Sequence, residues 1–261
     1  MRVVDPGFYS LVQDYPGRAA SETLGEFWRI GIPPSGPADD FSFRLANALV
    51  GNSSRAAGLE FTVHGPSFKM NEATIISITG ADFSATLDGE PCPLYTSVAV
   101  KAGATLSIGL VKEGSGGQRG YLAVAGGFDV PLYLGSRSTF PLGKMGGHQG
   151  RPLVSGDVLP LACDPKMVAA GGGATCPAPE MPSKDWKVGC VLGPHGAPDF
   201  LTDDDMVTSP LQPRPLNWSG AACTSCVTTS YMCSCPGTSL PPHPHLPLPT
   251  PSTPFAHTPT S

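Results

Sequence analysis

Long apolar runs and an excess of positive charge are both lacking in this sequence of 261 residues. No apolar stretch approaches the ~20 residues that a membrane-spanning helix needs. The first residues, MRVVDPGFYSLV, lack the long apolar core of a signal peptide. The formal net charge of -5 gives no electrostatic reason to expect binding to nucleic acid or to an anionic membrane. We therefore expect a cytoplasmic protein with neither of those partners.

Motifs for several common chemistries are also missing. The sequence has no H-E-x-x-H motif, and His64, His148 and His195 lie far apart, so we predict no metal site. The pair Gly143-Lys144 lacks the spacing of a Walker A loop, so phosphate binding of that kind is not expected. No G-x-S-x-G elbow is present, although a Ser-His-Asp triad needs no fixed spacing and stays open.

Acidic residues are absent from residues 207–261, which hold twelve of the thirty prolines and a single basic residue, Arg214. A chain so rich in proline cannot complete most strand or helix hydrogen bonds, so we expect disorder there. The change is abrupt after FLTDDDM, at a possible short helix over residues 202–207. We therefore predict a folded domain over residues 1–206 and an aberrant tail, derived from a translated intron or a shifted reading frame.

The rest of the chain is organised around residues 31–52, GIPPSGPADDFSFRLANALVGN. Three prolines and Gly36 restrict the backbone at its start and predict a rigid turn. Asp39 or Asp40 then caps a helix of about three turns. The spacing predicts one buried stripe on this helix, formed by Phe41, Leu45, Ala48 and Leu49. The polar side chains expected to be presented are Ser35, Asp39, Arg44 and Asn47, although Ser35 and Asp39 could equally serve only the cap.

The pattern after this helix is typical of a mainly β protein. Two extended pieces lie near the N terminus, and the Asp88-Gly89 pair indicates a hairpin. Further short strands are predicted over residues 58–63, 73–79, 83–87, 97–100, 105–110, 121–125 and 158–161. Many short strands with at most two helices favour an antiparallel barrel or sandwich.

Polar residues collect in the loops between these strands. Three loops, at residues 135–139, 143–151 and 193–196, combine glycine with His, Lys or Arg. Such loops let a ligand approach backbone N–H groups, and their composition suits anions or carbonyl groups. Glycine is equally common at barrel corners, so no single loop decides between structure and function.

Several segments in a fixed order resemble a known family. They are VVDPG, LVQDYPGR, GIPPSGPADDFSFRLANALVGN, LEFTVHGP, TGADF, VAGGFDVPLYLGSRSTF, MGGHQGRPLVSGD and GPHGAPDF. Together they resemble the biotin-dependent carboxyltransferase domain, also called allophanate hydrolase subunit 2, in the form found in fungal urea amidolyases. The resemblance covers about residues 1–206. It departs from the family where Ala38 replaces a usual Met, in a longer segment between Arg18 and Trp28, and where the tail replaces later strands.

The resemblance implies a truncated cyclophilin-like β-barrel architecture with one or two short helices. It also implies an enzyme that transfers CO2 from carboxybiotin, held on a separate biotin carrier domain, to urea, which gives allophanate. ATP would be consumed only by a separate biotin carboxylase domain, and a companion subunit-1-type domain would be a partner. We expect this fragment alone to be inactive if it ends as written.

Site roles follow as a hypothesis for an intact form of the domain. Asp39 and Asn47 would orient the urea amide, and Ser136 would stabilise developing negative charge. His148 would move protons, because imidazole ordinarily titrates near neutral pH. The predicted substrate-binding residues are Ser35, Arg44, Arg137, Lys144, Gly146, Gly147, Gln149 and His195.

Two other functions are open at this point. The chain also resembles the C-type component of the ATP-dependent 5-oxoprolinase, in which the same pocket would assist hydrolysis of a lactam. It resembles as well a regulatory binding module that, with its paired domain, acts on a histidine kinase through an inhibitor and its antagonist. A biotin carrier domain encoded beside the chain would favour the carboxyltransferase over the regulator.

Overall fold

The computed structural model describes residues 1–20, 27, 29–115, 117–162 and 172–179, all within a compact unit spanning Met1–Lys184. The tail and the possible helix at residues 202–207 lie outside the described residues, as does the boundary predicted at residue 206. The described part consists mainly of short strands. They are β1 (Arg2–Asp5), β2 (Tyr9–Gln13), β3 (Gly58–Thr62), β4 (Ser67–Lys69), β5 (Thr74–Gly80), β6 (Thr86–Leu87), β7 (Glu90–Pro91), β8 (Ser97–Val100), β9 (Thr105–Ser107) and β10 (Arg119–Val124). An α-helix, α1 (Asp40–Leu49), and a 3-10 helix (Gly17–Ala20) accompany them.

The strands form two antiparallel sheets of five strands each. The first sheet has the order β1-β4-β9-β6-β7, and the second has the order β2-β3-β10-β5-β8. The predicted mainly β class with a short helix is therefore confirmed. The Asp88-Gly89 pair joins β6 to β7 in a hairpin, as its sequence indicated, because both residues adopt the positive φ that this turn requires.

Side chains from both sheets meet in one hydrophobic core. Phe68 and Leu106 of the first sheet belong to the same buried cluster as Leu59, Ile76 and Leu122 of the second. The opposite face of the second sheet is also buried, because α1 packs on it. Alternate residues of one strand therefore serve different layers: Ile76 enters the main core, whereas its neighbour Ile75 packs under the helix.

The buried face of α1 differs from the predicted stripe. The buried residues are Ser42, Phe43, Ala46, Asn47 and Leu49. Phe41 is 45% exposed and Ala48 is exposed, so of the predicted stripe only Leu49 is fully buried. The helix is rotated because Phe43 packs edge-on against Tyr121 of β10, with ring centroids 6.0 Å apart. Polar side chains complete this face because their hydrogen bonds are satisfied there.

Several strand predictions need correction in detail. Strands β4 and β7 were not predicted, since three residues and two residues respectively are too short to show alternation. The predicted strand at residues 158–161 is wrong, because Val158 and Leu161 form only isolated bridges, to Arg2 and Phe128. The predicted strands over residues 83–87 and 105–110 are shorter than expected. None of the helices in the described part is long and apolar enough to cross a membrane.

Candidate functional site

Arg18 lies where loops from distant parts of the chain meet. Its side chain is 2% exposed, its Nη1 donates to Ser35 Oγ at 3.0 Å, and its Nη2 donates to the Ser138 carbonyl at 2.5 Å. Its Nε is buried and has no hydrogen-bond partner among the described residues. Burial lowers the pKa of Arg18 and the negative charge of Asp14 opposes this effect, yet a guanidinium stays charged at any physiological pH.

Asp14, just after β2, holds the loop at residues 136–138. Its Oδ1 accepts hydrogen bonds from the hydroxyls of Ser136 and Ser138, each at 2.6 Å. Its Oδ2 accepts the backbone N–H of Arg137 at 2.6 Å. All of these donors belong to a segment more than 120 residues away in sequence. The buried carboxylate therefore ties the two loops together through three short hydrogen bonds.

The glycine loop at residues 146–147 completes this group. The backbone N–H of Gly147 donates to the Arg137 carbonyl at 3.1 Å. Gly146 has a φ of 67°, and a Cβ atom there would overlap the Ser138 carbonyl and Nη2 of Arg18. Glycine is therefore required for the loop to approach the guanidinium. We call Asp14, Arg18, Ser35, Ser136, Ser138 and Gly146 the Arg18 cluster.

Asp39 stands at the N terminus of α1, four residues beyond Ser35. Its Oδ1 accepts the backbone N–H of Ser42 at 3.0 Å, and its Oδ2 accepts the Ser42 hydroxyl at 2.5 Å. This is the N-cap arrangement that the sequence indicated, and Asp39 rather than Asp40 provides it. The residue is exposed, so its carboxylate also faces solvent.

A buried pair on the second sheet fixes the backbone just before the helix. Tyr121 accepts the backbone N–H of Asp39 at 2.8 Å, and Glu60 accepts that of Ala38 at 2.7 Å. The Tyr121 hydroxyl donates to Glu60 at 3.1 Å. Burial, followed by the charge of Glu60, raises the pKa of Tyr121, so the phenol stays neutral. Arg119 balances the Glu60 charge at 2.8 Å.

His148 directly follows the glycine loop and faces a carboxylate. Its Nε2 lies 3.5 Å from Oδ1 of Asp157. Arg151 donates to both oxygens of that carboxylate, at 2.8 and 2.9 Å. These hydrogen bonds lower the pKa of Asp157 to about 2. The imidazole is therefore close to a group that is charged at neutral pH.

The other predicted residues lie in different surroundings. Asn47 is fully buried; its amide nitrogen donates to the Ala56 carbonyl at 3.1 Å and its oxygen accepts from Asn52 at 2.9 Å. Arg44 stacks over the Tyr15 ring, 5.0 Å from its centroid. Lys144 and Gln149 are exposed, and His195 lies outside the described residues. Within the described residues, no group of three or more His, Cys, Asp and Glu side chains is placed to hold a metal ion.

The structure thus brings some predicted residues together and adds others. Ser35, Ser136 and Gly146 belong to the Arg18 cluster, and Arg137 and Gly147 contact it through their backbones. Their chemical roles stay predictions. The residues that sequence reasoning did not assign to the site are Asp14, Arg18, Ser138, Glu60, Tyr121 and Asp157. The polar residues in LVQDYPGR were the available signal for the first two.

The fold and these loops define a carboxyltransferase domain. The chain matches the family described as carboxyltransferase domain, subdomain A and B, over residues 30–210, and it belongs to that family. The urea amidolyase of Saccharomyces cerevisiae is 44% identical over 210 residues, which are 77% of this chain and 11% of that protein. The C-type component of the 5-oxoprolinase of Escherichia coli is 37% identical over 161 residues, which cover 62% of this chain and 49% of that protein.

Solved structures show the same relationship. The crystal structure of the urea carboxylase of Kluyveromyces lactis has a TM-score of 0.62 and 44% sequence identity with this chain. That comparison covers 75% of this chain and 17% of the other. The chain therefore spans only a small part of the length of its urea-carboxylating relatives.

Proposed function

We propose that this chain forms part of the carboxyltransferase site of a urea carboxylase, which transfers CO2 from carboxybiotin to urea to give allophanate. The observation that carries the proposal is the Arg18 cluster, in which four loops of a carboxyltransferase-family domain meet around one buried cation. The urea amidolyase relatives support urea as the acceptor. The companion domain, the biotin carrier and a cytoplasmic location are parts of the same proposal.

The residues of the cluster fit a carboxylated biotin. That group, bound to its carrier, would supply the carboxyl group and would leave a ureido oxygen that needs hydrogen-bond donors. The unpartnered Nε of Arg18 is a buried donor within the described part of the chain, and the Cβ-free backbone at Gly146 permits close approach. Arg137 and the exposed Lys144 would hold the carboxylate through their charges.

Proton movement and orientation of urea would fall to the residues beside the cluster. Asp39 has carboxylate lone pairs facing solvent, which suit the N–H groups of urea. His148 would take the proton that the urea nitrogen loses as it bonds to the transferred carbon. Asn47 has no direct role in this proposal, because its amide is buried and bonded to Ala56 and Asn52.

The proposal can be tested in a chimera, since the chain covers about a tenth of its fungal relatives. Residues 1–206 would replace the matching segment of the S. cerevisiae urea amidolyase, and urea-dependent transfer of ¹⁴C from labelled carboxybiotin would be measured. We expect transfer to urea, and a loss of at least about a hundredfold in His148→Ala, the usual scale for removing a general base. Glu90→Gln, on the exposed strand β7, is the matched control.

A second candidate is supported by the E. coli 5-oxoprolinase component, of which this chain covers 49%. Pairing the chain with the other components of that enzyme and supplying 5-oxoproline tests this directly. Hydrolysis of the lactam there, with no transfer to urea in the chimera, would replace the first proposal by the second. Unchanged transfer in His148→Ala would show that the histidine is not the base.

A further inference from the structure

His148 is held by a carboxylate that the sequence patterns did not single out. Its Nε2 lies 3.5 Å from Oδ1 of Asp157, and the two side chains are 15% and 8% exposed. In the described part of the chain, its Nδ1 makes no hydrogen bond. The two ring nitrogens therefore differ: one faces a fixed negative charge, and the other does not.

Asp157 is itself held from several directions. Arg151 donates to both of its oxygens, and the backbone N–H of Val154 donates to Oδ2 at 2.9 Å. These contacts leave the carboxylate one geometry, in which Oδ1 faces the imidazole. Since the hydrogen bonds from Arg151 keep its pKa at about 2, Asp157 is an anion under all ordinary conditions.

Gln149 provides the competing partner. Its Nε2 lies 3.5 Å from Nε2 of His148, and its Oε1 accepts from Arg151 at 2.8 Å. A glutamine N–H that donates to the imidazole would require the histidine proton to sit on Nδ1. A carboxylate is a stronger acceptor than a neutral amide is a donor, so the charge of Asp157 favours the opposite tautomer, with the proton on Nε2.

We propose that Asp157 is a positioning residue for His148, which holds the imidazole proton on Nε2 and leaves Nδ1 as the nitrogen that accepts a proton from the substrate. The catalytic part of this inference rests on the proposed function, whereas the tautomer does not. The arrangement is that of a general base oriented by a carboxylate. Arg151 and Val154 serve it by fixing the carboxylate.

The tautomer can be measured on the 261-residue chain without an activity assay. ¹⁵N spectra of the imidazoles, recorded near pH 9 where an ordinary imidazole is neutral, distinguish Nε2–H from Nδ1–H, and His148→Gln assigns the signal. We expect His148 to be the Nε2–H tautomer. In Asp157→Asn the ratio of the two tautomers should fall by about tenfold, the scale of one hydrogen bond to a charged group.

Arg151→Gln is the matched control, because it breaks the same ion pair and leaves the carboxylate facing His148. We expect it to retain the Nε2–H tautomer. An Nδ1–H tautomer in the unmodified chain, or an equal fall in both variants, would overturn the proposal and assign Asp157 a structural role only.

The chimera separates this inference from the proposed function. If urea is the acceptor, Asp157→Asn should lower kcat for transfer more than it changes KM, and Arg151→Gln should have the smaller effect. An inactive chimera together with an Nε2–H tautomer that depends on Asp157 would refute the proposed function alone. Full activity of Asp157→Asn with an altered tautomer would refute the catalytic part of the inference.

Discussion

Asp157 shows how one side chain can combine a structural and a chemical effect. Its two oxygens receive Arg151, while its backbone carbonyl accepts the N–H of Val3 in β1 at 2.8 Å. The same residue thus anchors the loop after His148 to an edge strand of the first sheet. Because hydrogen bonds from Arg151 lower its pKa to about 2, its contribution to stability depends on pH.

Replacing Asp157 by Asn should therefore destabilise the protein at neutral pH but not in strong acid. A carboxyl group in the unfolded chain has a pKa of about 3.9. Since the folded value is lower, the stabilisation is complete above about pH 4 and is lost as the pH falls towards about 2. We expect a loss of about 1–2 kcal/mol at pH 7, because solvent screens this partly exposed pair.

Thermal unfolding from about pH 2 to pH 7 would measure this difference. Glu90→Gln provides the comparison, since it removes an exposed carboxylate that forms no ion pair within the described residues. A difference between Asp157→Asn and the unmodified protein that stays constant across this range would contradict the linkage.

Gly146 tests how closely the loops must approach. Gly146→Ala should be more destabilising than Gly135→Ala, although both glycines have positive φ, 67° and 76°. Both variants would bear the cost of about 1 kcal/mol for a left-handed alanine. A Cβ at Gly135 would meet nothing within 4 Å, whereas at Gly146 it would overlap Ser138 and Arg18, which adds about 1–3 kcal/mol.

Melting temperatures of the two alanine variants would show the difference. Equal destabilisation would mean that the cluster can shift to admit a methyl group. A larger loss at Gly135 would contradict the close approach altogether.

Single residues of the site were predictable where the local sequence is unusual. Ser136, Gly146 and Gly147 stand in loops rich in glycine and polar residues, and they do lie at or beside the Arg18 cluster. Arg18 was not predictable in this way, because arginine is rarely buried without a pairing partner and its contact to Ser138 crosses 120 residues. Its importance depends on the tertiary structure.

At the scale of elements, α1 shows the limit of hydrophobic periodicity. The helix and its N-cap were predictable from the proline-rich turn and Asp39. Its orientation was not, because Ser42 and Asn47 occupy the buried face, where their hydrogen bonds are satisfied. Thr79 of β5 also donates to the Ser42 carbonyl at 2.8 Å, a contact that no local pattern reveals.

The N-cap provides a prediction at this scale. Asp39→Ala should lower the free energy of unfolding by about 1 kcal/mol, because two contacts to Ser42 are lost. Asp39→Asn should be close to the unmodified protein, since asparagine caps helices equally well. Asp40→Ala is the neighbouring control, and it should change stability by less than about 0.5 kcal/mol because its contact to Arg44 is exposed.

Guanidinium chloride is the suitable denaturant for this series, because urea is the proposed substrate. If Asp40→Ala were the more destabilising variant, the cap would be misassigned. An equal loss in Asp39→Asn and Asp39→Ala would show that the charge, rather than the capping geometry, stabilises the helix.

At the scale of the whole molecule, the class of fold was predictable and the pairing of strands was not. Alternation and turn signals revealed β3, β5, β8 and β10, which are long or well bounded. The order β2-β3-β10-β5-β8 joins strands that are far apart in sequence, and alternation carries no information about such neighbours. Very short strands such as β7 leave no pattern at all.

The long sequence separations within the Arg18 cluster have a consequence for folding. Segments around residues 14–18, 35 and 136–147 have to meet before the cluster exists, so it cannot form as a local unit. Contacts between distant segments are ordinarily the slow ones to form. A ligand that recognises the cluster would therefore bind only to chains that have completed the described part of the fold, and its binding would report the last stage of folding.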